Sequence, residues 1–252
     1  MNYREFKKFS IDSVNKKRGT LTGYDCPICL NKGFVEYLDN NDNECAKECS
    51  CMSIRYAAKV AESSGFGEML KRCTLKTYNH SEKWQNDIFI KAQEFTFGNA
   101  AAFYIGGQTG AGKTHICTAI SREFIKQRLT VLYAIWNSTV LELKQNSISS
   151  PVDYAKKMDE LKNVDVLVID DFFKTDPTKT DKDKAFDLIN YRYNLSLTGG
   201  RKKYTIISSE RTLNELNEID PAIMGRIYEM ANKKFIINVE LDKFKNYRIS
   251  QL

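Results

Sequence analysis

An α/β fold built on a parallel sheet is what this sequence predicts, and three features predict it. Short apolar runs near 101–105, 130–135, 164–169, 203–208 and 234–239 have the length and composition of buried strands. Stretches with apolar residues at helical spacing lie between them, so strand and helix alternate as they do where right-handed crossovers join parallel strands. The first run leads into a glycine loop and the third ends in two aspartates. Both features belong at the C-terminal edge of such a sheet, where open α/β folds bind ligands.

In chain order, residues 1–25 carry six basic and three acidic side chains and too few apolar positions for a core, which predicts a helix and a loose arm. Residues 26–51 hold a cysteine cluster, and Ile54 to about Ala61 reads as a helix leaving it. From Ser63 the chain passes Gly65 and Gly67 into a linker. The predicted division is therefore an N-terminal module over 1–62, a linker over 63–83 and the α/β domain over 84–252. Trp84–Phe97 is an amphipathic helix ahead of the first strand. After that strand, Ile116, Ala119, Ile120 and Phe124 mark a helix over Thr114–Gln127. Between the second and third strands, Thr139–Gln145 and Asp153–Lys162 form two extra helical stretches, separated by Ser147-Ile-Ser-Ser-Pro151. Asp39–Glu44 and Asp176–Lys184 are polar enough for loops.

Composition limits the function classes. The 252 residues suffice for one large domain and a small appendage, and 38 Lys and Arg against 32 Asp and Glu give a net charge of +6, which permits nucleic-acid contact without requiring it. No apolar run reaches the length of a membrane span, and Met-Asn-Tyr-Arg-Glu-Phe-Lys-Lys lacks the apolar core of a signal peptide. A soluble, cytoplasmic chain is expected, in the host cytoplasm if phage-encoded, with no membrane partner.

Residues 107–114 read Gly-Gln-Thr-Gly-Ala-Gly-Lys-Thr, a complete G-x-x-x-x-G-K-[ST] phosphate loop. Gly107, Gly110 and Gly112 let successive backbone N–H groups face one anion, Lys113 is spaced to reach the β and γ phosphates, and the Thr114 hydroxyl to meet Mg²⁺. The flanking strand and helix aim a helix N-terminus at phosphate. Gln108, Thr109 and Ala111 complete the candidate ATP-binding loop, and His115 abuts it as a packing residue rather than a catalyst. Hydrolysis needs an acidic element as well. The run Val164–Ile169 ends in Asp170-Asp171 and looks like a Walker B strand, with Asp170 placed to hold Mg²⁺ and Asp171 to polarise the attacking water. Asp171 is one methylene shorter than the glutamate common at that place, which favours slow turnover. An ordinary acidic cap is the plain alternative.

Seven cysteines need explaining in a reducing compartment, where disulfides are disfavoured. Cys26-Pro-Ile-Cys29 is a C-x-x-C knuckle and Cys49-Ser-Cys51 supplies a second pair, giving four thiolates for a tetrahedral Zn²⁺. By spacing alone Cys45 can replace Cys49, and a redox C-x-x-C is the competing chemistry. Cys73 and Cys117 fall outside the cluster and read as buried apolar fillers.

Taken together, Gly-Gly-Gln-Thr-Gly-Ala-Gly-Lys-Thr-His115, Val-Leu-Val-Ile-Asp-Asp171 and Gly225-Arg-Ile-Tyr-Glu-Met230 resemble the DnaC/DnaI-type helicase loaders, AAA+ ATPases related to the IstB transposition helpers. The knuckle followed by Asn-Lys-Gly-Phe-Val, and Lys-Glu-Cys-Ser-Cys51, resemble the N-terminal domain of the phage and Gram-positive branch. The resemblance covers nearly the whole chain. It implies an AAA+ phosphate-loop domain with a five-stranded parallel sheet flanked by helices, preceded by a small zinc-binding domain. It further implies an ATPase that binds a hexameric replicative helicase through its N-terminal region, helps place it on single-stranded DNA and self-associates through the AAA+ domain.

The resemblance also implies roles for further residues. Arg226 matches the box VII arginine, a finger that enters a neighbouring subunit's ATP site. Thr205-Ile-Ile-Ser-Ser-Glu210 stands where the family reads Ser-Asn, so the γ-phosphate sensor falls on Ser208 or Ser209, and Glu210 would repel phosphate unless turned away or met by Mg²⁺. Arg248 matches a second sensor. Arg192 with Tyr191 and Tyr193, and Arg201-Lys-Lys-Tyr204, have the composition of single-stranded DNA contacts, against the plain reading of solvated charge. His80 carries no signal, and Phe124, Tyr133 and Trp136 read as core. Two other functions share these residues. One is a transposition helper, which does not require a zinc module. The other is a nucleotide-gated adaptor with negligible turnover, which Asp171 and Glu210 favour.

Overall fold

The computed structural model describes residues 3–22, 25–52, 55, 66–200 and 202–247. The expected helix over 54–61, Arg201 and the sensor assigned to Arg248 fall outside those residues, save Arg55 at the helix.

Helix α1 (Tyr3–Lys16) packs on a two-stranded antiparallel hairpin, β1 (Phe34–Leu38) and β2 (Glu44–Glu48). Asn15 holds the hairpin from the helix, since its amide donates to the Glu36 carbonyl and its oxygen accepts from the Glu36 N–H. The arm after α1 is not loose in its described part. Gly19 N–H donates to the Leu30 carbonyl and Leu21 N–H to that of Asn31, while Lys32 ties the carbonyls of Asn15 and Lys17, so the arm is laced to the cysteine knuckle.

The segment expected to be a linker also packs. It forms helix α2 (Phe66–Arg72), places Phe66 and Tyr78 in the main core, and precedes α3 (Lys83–Phe97). Apolar side chains at helical spacing on α3 bury Ile88, Ala92 and Phe95, and a capping box between Glu82 and Gln85 sets its start.

Five parallel strands then form one sheet: β3 (Ala102–Gly107), β4 (Val131–Ile135), β5 (Val166–Asp170), β6 (Tyr204–Ser208) and β7 (Ile236–Val239), in the order β4-β5-β6-β3-β7. Strands β3 and β5 are buried throughout, as expected of strands covered on both faces. Strand β6 alone separates the strand of the phosphate loop from the acidic strand, so both open at one edge. The fold matches the sequence expectation, with boundaries shifted by a residue or two. Val164 and Asp165 precede the third strand rather than belonging to it, because Asp165 turns back to bind the Thr130 N–H and hydroxyl.

The helices between the strands are α4 (Lys113–Lys126), α5 (Trp136–Ser149), α6 (Pro151–Asn163), α7 (Lys179–Leu197), α8 (Leu213–Ile219) and α9 (Pro221–Met230). The inserted pair α5 and α6 is longer than its apolar pattern suggested, and only Ser150 parts the two helices. Its hydroxyl accepts from the Asp153 N–H while Pro151 takes the first helical position, where its missing donor costs nothing. Trp136 and Phe124 are core, as expected, and Cys117 is buried, whereas Cys73 is only half-buried.

Arg192 is not a DNA contact. It is 1% exposed, and its guanidinium donates to Thr205 Oγ1 and to the carbonyls of Leu161, Lys162, Val164 and Tyr204, stitching α7 to the end of α6 and to β6. Burial pulls this group down to about 9, opposed by the nearby Asp165 charge. Tyr191 and Tyr193 are also committed, to Asn163 and Glu229, and Lys202 and Lys203 to Gly98 and Asp165. Arg192→Met should therefore lower stability by at least about 1–3 kcal/mol, the cost of leaving a buried acceptor unsatisfied, because four carbonyls lose this donor. Denaturant titration checks this. An unchanged midpoint would mean the network contributes little.

Candidate functional site

A cleft of about 590 Å³ opens at the C-terminal edge of the sheet, lined by the phosphate loop, by Asp170 and Asp171, and by Glu210. Gly107 ends β3 at φ 101°, and a side chain there would run into the Val239 carbonyl of β7. Gly110 has φ 76° and backs onto Asn246. Glycine is thus required at both positions by backbone sign and by close approach. Gly112, at φ 80°, caps α4, whose first N–H groups have no partner within the helix and face the cleft.

Lys113 is 8% exposed and its ammonium donates to the carbonyls of Gly107 and Gln108, at 2.8 and 2.7 Å. Burial pushes it below its ordinary value, against the pull of Glu210 and Asp171. A cation folded over the mouth of its own loop sits where a phosphate chain would compete for it. Within the loop, Gln108 also receives the Asp242 N–H, and Ala111 is fully buried. Thr109 lines the cleft. His115, in the first turn of α4, bonds the Thr74 carbonyl and meets Tyr78 edge-on, which is a packing role at the cleft wall.

Asp170 is 7% exposed and takes bonds from three hydroxyls: Thr114 at 3.1 Å, Tyr133 and Ser208. The Thr114 oxygen keeps a lone pair while its proton points at Asp170, so the two residues fit an Mg²⁺ site together. Asp171 follows at φ 55°, a sparsely populated conformation that brings both carboxylates to the cleft. Lys174 lies 3.0 Å from Asp171 and 3.5 Å from Glu210, so one ammonium is shared by the two acids. Glu210 therefore faces the cleft, with its charge partly countered.

Ser209 does not reach the cleft. Its hydroxyl donates to the Phe172 carbonyl and accepts the Arg211 N–H, so the assignment of Ser209 as a nucleotide contact is corrected, and Ser208 is the serine that touches the acidic strand.

Three tyrosines were missed or misjudged from sequence. Tyr133 is half-buried rather than core, stacks on Phe66 with ring centroids 4.3 Å apart, and lines the cleft beside Asp170. Tyr78 and Tyr247 line it near Gly112. Tyr247 is held by its N–H to the Gly110 carbonyl and by Gln85 donating to its hydroxyl. Neither carried a sequence signal, since each reaches the loop through tertiary packing.

Arg226, half-buried on α9, lies outside the cleft lining. Its Nε donates to Asn190 at 2.6 Å and its Nη1 to the Ala222 carbonyl at 2.8 Å, and the guanidinium lies 4.6 Å over the Phe186 ring.

Cys26, Cys29, Cys49 and Cys51 come together, with all four sulfurs within 4.8 Å of one another and all four side chains buried. The pairs Cys26–Cys49 and Cys29–Cys51 are 3.8 and 3.5 Å apart. Four sulfurs at about 2.3 Å from a tetrahedral Zn²⁺ would be about 3.8 Å apart, so the set fits that metal. Burial raises the Cys51 thiol to about 12. Cys29, though burial also opposes its ionisation, is held down to about 6 by the Gly33 N–H and the neighbouring sulfurs. Cys45 sits on β2 outside the set.

Residues 69–229 match the family of IstB-like ATP binding proteins. The chain is 30% identical over 234 residues to the phage-like element PBSX protein XkdC of Bacillus subtilis, covering 85% of this chain and 82% of that one. It is 27% identical over 122 residues to the replicative helicase loader DnaC of Escherichia coli, covering 47% of this chain and 50% of that one. Its fold resembles the crystal structure of the DnaC helicase loader with a TM-score of 0.56 at 21% identity, over 68% of this chain and 97% of that one.

Proposed function

The chain belongs to the IstB-like ATP-binding protein family, and within it we propose that it is an ATP-hydrolysing helicase loader. In this reading residues 1–62 engage a hexameric replicative helicase, the α/β body binds ATP and Mg²⁺ and self-associates, and the assembly helps deliver the helicase onto single-stranded DNA. The observation that carries it is the joining of a four-cysteine module to a phosphate-loop core whose sequence is similar to a replicative helicase loader. The match of residues 69–229 to the IstB-like family favours a second reading, a transposition helper. Capture by the tagged chain of the replicative helicase of its source, or of its host, supports the first. Capture of a transposase in its place selects the second.

The residues have separable tasks. The N–H groups of the loop and of the α4 N-terminus bind phosphate, and Lys113 leaves its two carbonyls to pair with the β and γ oxygens. Thr114 and Asp170 would hold Mg²⁺, which when bound neutralises charge on the phosphates. Asp171 orients and polarises the attacking water, sharing Lys174 with Glu210. Arg226, which lies outside the lining of its own cleft, serves in this reading as the finger that enters a neighbour's. Cys26, Cys29, Cys49 and Cys51 hold a structural Zn²⁺.

Lys113→Ala should weaken ATP binding by about ten- to a hundredfold, the range for losing charge-assisted bonds to phosphate. The circular dichroism spectrum should be unchanged, because the ammonium bonds only loop carbonyls. A nucleotide titration with wild-type affinity in this variant would refute the site.

A further inference from the structure

Among the described residues the Asp170 carboxylate is gripped by hydroxyls from three separate elements. Thr114 comes from the first turn of α4, Ser208 from the end of β6, and Tyr133 from β4, the strand paired on the other side of β5. The first two belong to the site by their sequence positions. Tyr133 has no such excuse. It is offset by two residues along the strand pair, opposite Val168, and its long side chain spans that offset to reach Asp170.

An aspartate's terminal torsion is broad and roughly two-fold, so one hydrogen bond does not fix the plane of the carboxylate. Donors on both oxygens do. Tyr133 bonds Oδ2 while Ser208 bonds Oδ1, and Thr114 spans the two at 3.1 and 3.3 Å. Without the phenol, Oδ2 keeps only its longer bond. The Tyr133 ring is itself fixed, lying 13° from parallel on Phe66, which is 2% exposed on α2. The hydroxyl is therefore aimed by a packed ring rather than by a free side chain.

We infer that Tyr133, braced by Phe66, is a positioning residue that fixes the plane of the Asp170 carboxylate for the metal of a bound nucleotide. The inference rests on the Mg²⁺–ATP reading above. It gives α2, the segment between the cysteine module and the α/β body, a connection to the acidic strand of the site through a stacked pair, beside the direct contact of Met69 with the cleft.

The test uses the full chain and a fluorescent ATP analogue, titrated in excess chelator and across a magnesium series. Wild type should bind more tightly as Mg²⁺ is added. Tyr133→Phe keeps the ring and its stack and removes one bond to a charged acceptor. It should raise the Mg²⁺ concentration at half-effect by about tenfold while leaving affinity in chelator unchanged. Phe66→Leu keeps the hydroxyl but not the brace, and should shift the same midpoint in the same direction by less. An unshifted midpoint in Tyr133→Phe overturns the inference, and so does an equal loss of affinity with and without Mg²⁺, which would mark a packing role alone. If Phe66→Leu matches wild type, the brace is wrong. A wild-type chain whose nucleotide affinity ignores Mg²⁺ overturns the parent reading and this one with it, an outcome distinguishable from a wild type that responds and a variant that follows it.

Discussion

Stripping the metal from the cysteine cluster, by chelation or by Cys26→Ser, is expected to unfold residues 26–52 while the α/β body stays folded and still binds ATP. Among the described residues the four cysteines pack with only Val35 and Met52 as partly buried apolar neighbours, and β1 and β2 contain no buried residue. Ile11 of α1 is, among those described residues, the one buried apolar side chain outside the cysteines that this module holds. Structural zinc in small modules is worth about 10–16 kcal/mol, far more than the hairpin bonds and the α1 contact can supply. The purified chain should carry about one Zn²⁺, because four thiolates close a structural site. Limited proteolysis of Cys26→Ser should cut within 26–52, and helicase capture should be lost. Metal analysis finding no zinc, or a Cys26→Ser chain that resists protease and captures helicase as wild type does, would sink this expectation. Cys45→Ser should be silent in both assays, since its sulfur lies outside the cluster.

The phosphate loop and the acidic strand were legible because their chemistry sits on consecutive residues, and a glycine loop constrains its own backbone. The four cysteines were legible as a set, but only the hairpin decides between Cys49 and Cys45. Pairing Phe34 with Glu48 brings the chain after β2 back to Gly33 and the knuckle, with Cys49 N–H donating to the Gly33 carbonyl, and leaves Cys45 opposite Tyr37. What composition could not show was where a charge or ring is spent. Arg192 between two tyrosines reads as a nucleic-acid contact, yet five acceptors at the end of α6 and on β6 consume it. Ser208 ends β6 and Ser209 follows it, and the two neighbouring hydroxyls take different partners, one the Asp170 carboxylate and the other the Phe172 carbonyl. Tyr133 sits in a strand whose composition is that of any buried strand, and only its bond to Asp170, with its ring stacked on a segment assigned to a linker, reveals that it reaches the site. In each case the missing information was tertiary.

Arg226→Ala should remove most ATP hydrolysis by the assembled protein while leaving ATP affinity nearly unchanged. The guanidinium is absent from the lining of its own cleft, as the trans-acting role requires. It is nonetheless presented in a fixed pose, held by Asn190 and the Ala222 carbonyl and laid over Phe186, which suits a group that must meet a phosphate on another chain without first being ordered. An arginine finger contributes roughly 10³–10⁵ in rate, so the loss should be unmistakable. Hydrolysis per chain should rise with protein concentration, or with DNA and helicase that gather subunits, and the variant should lack that rise. A structural role predicts something else. Losing the bonds to Asn190 and Ala222 would lower the denaturation midpoint and slow hydrolysis equally at every concentration. Mixing separates the two. Arg226→Ala chains retain the phosphate loop and Lys113→Ala chains retain the finger, so combining the two inactive preparations should restore part of the activity wherever an intact cleft meets an intact arginine. A mixture that stays inactive although mixed assemblies form, or an Arg226→Ala chain with the normal rate, would make this residue a strut between α9 and α7 and nothing more.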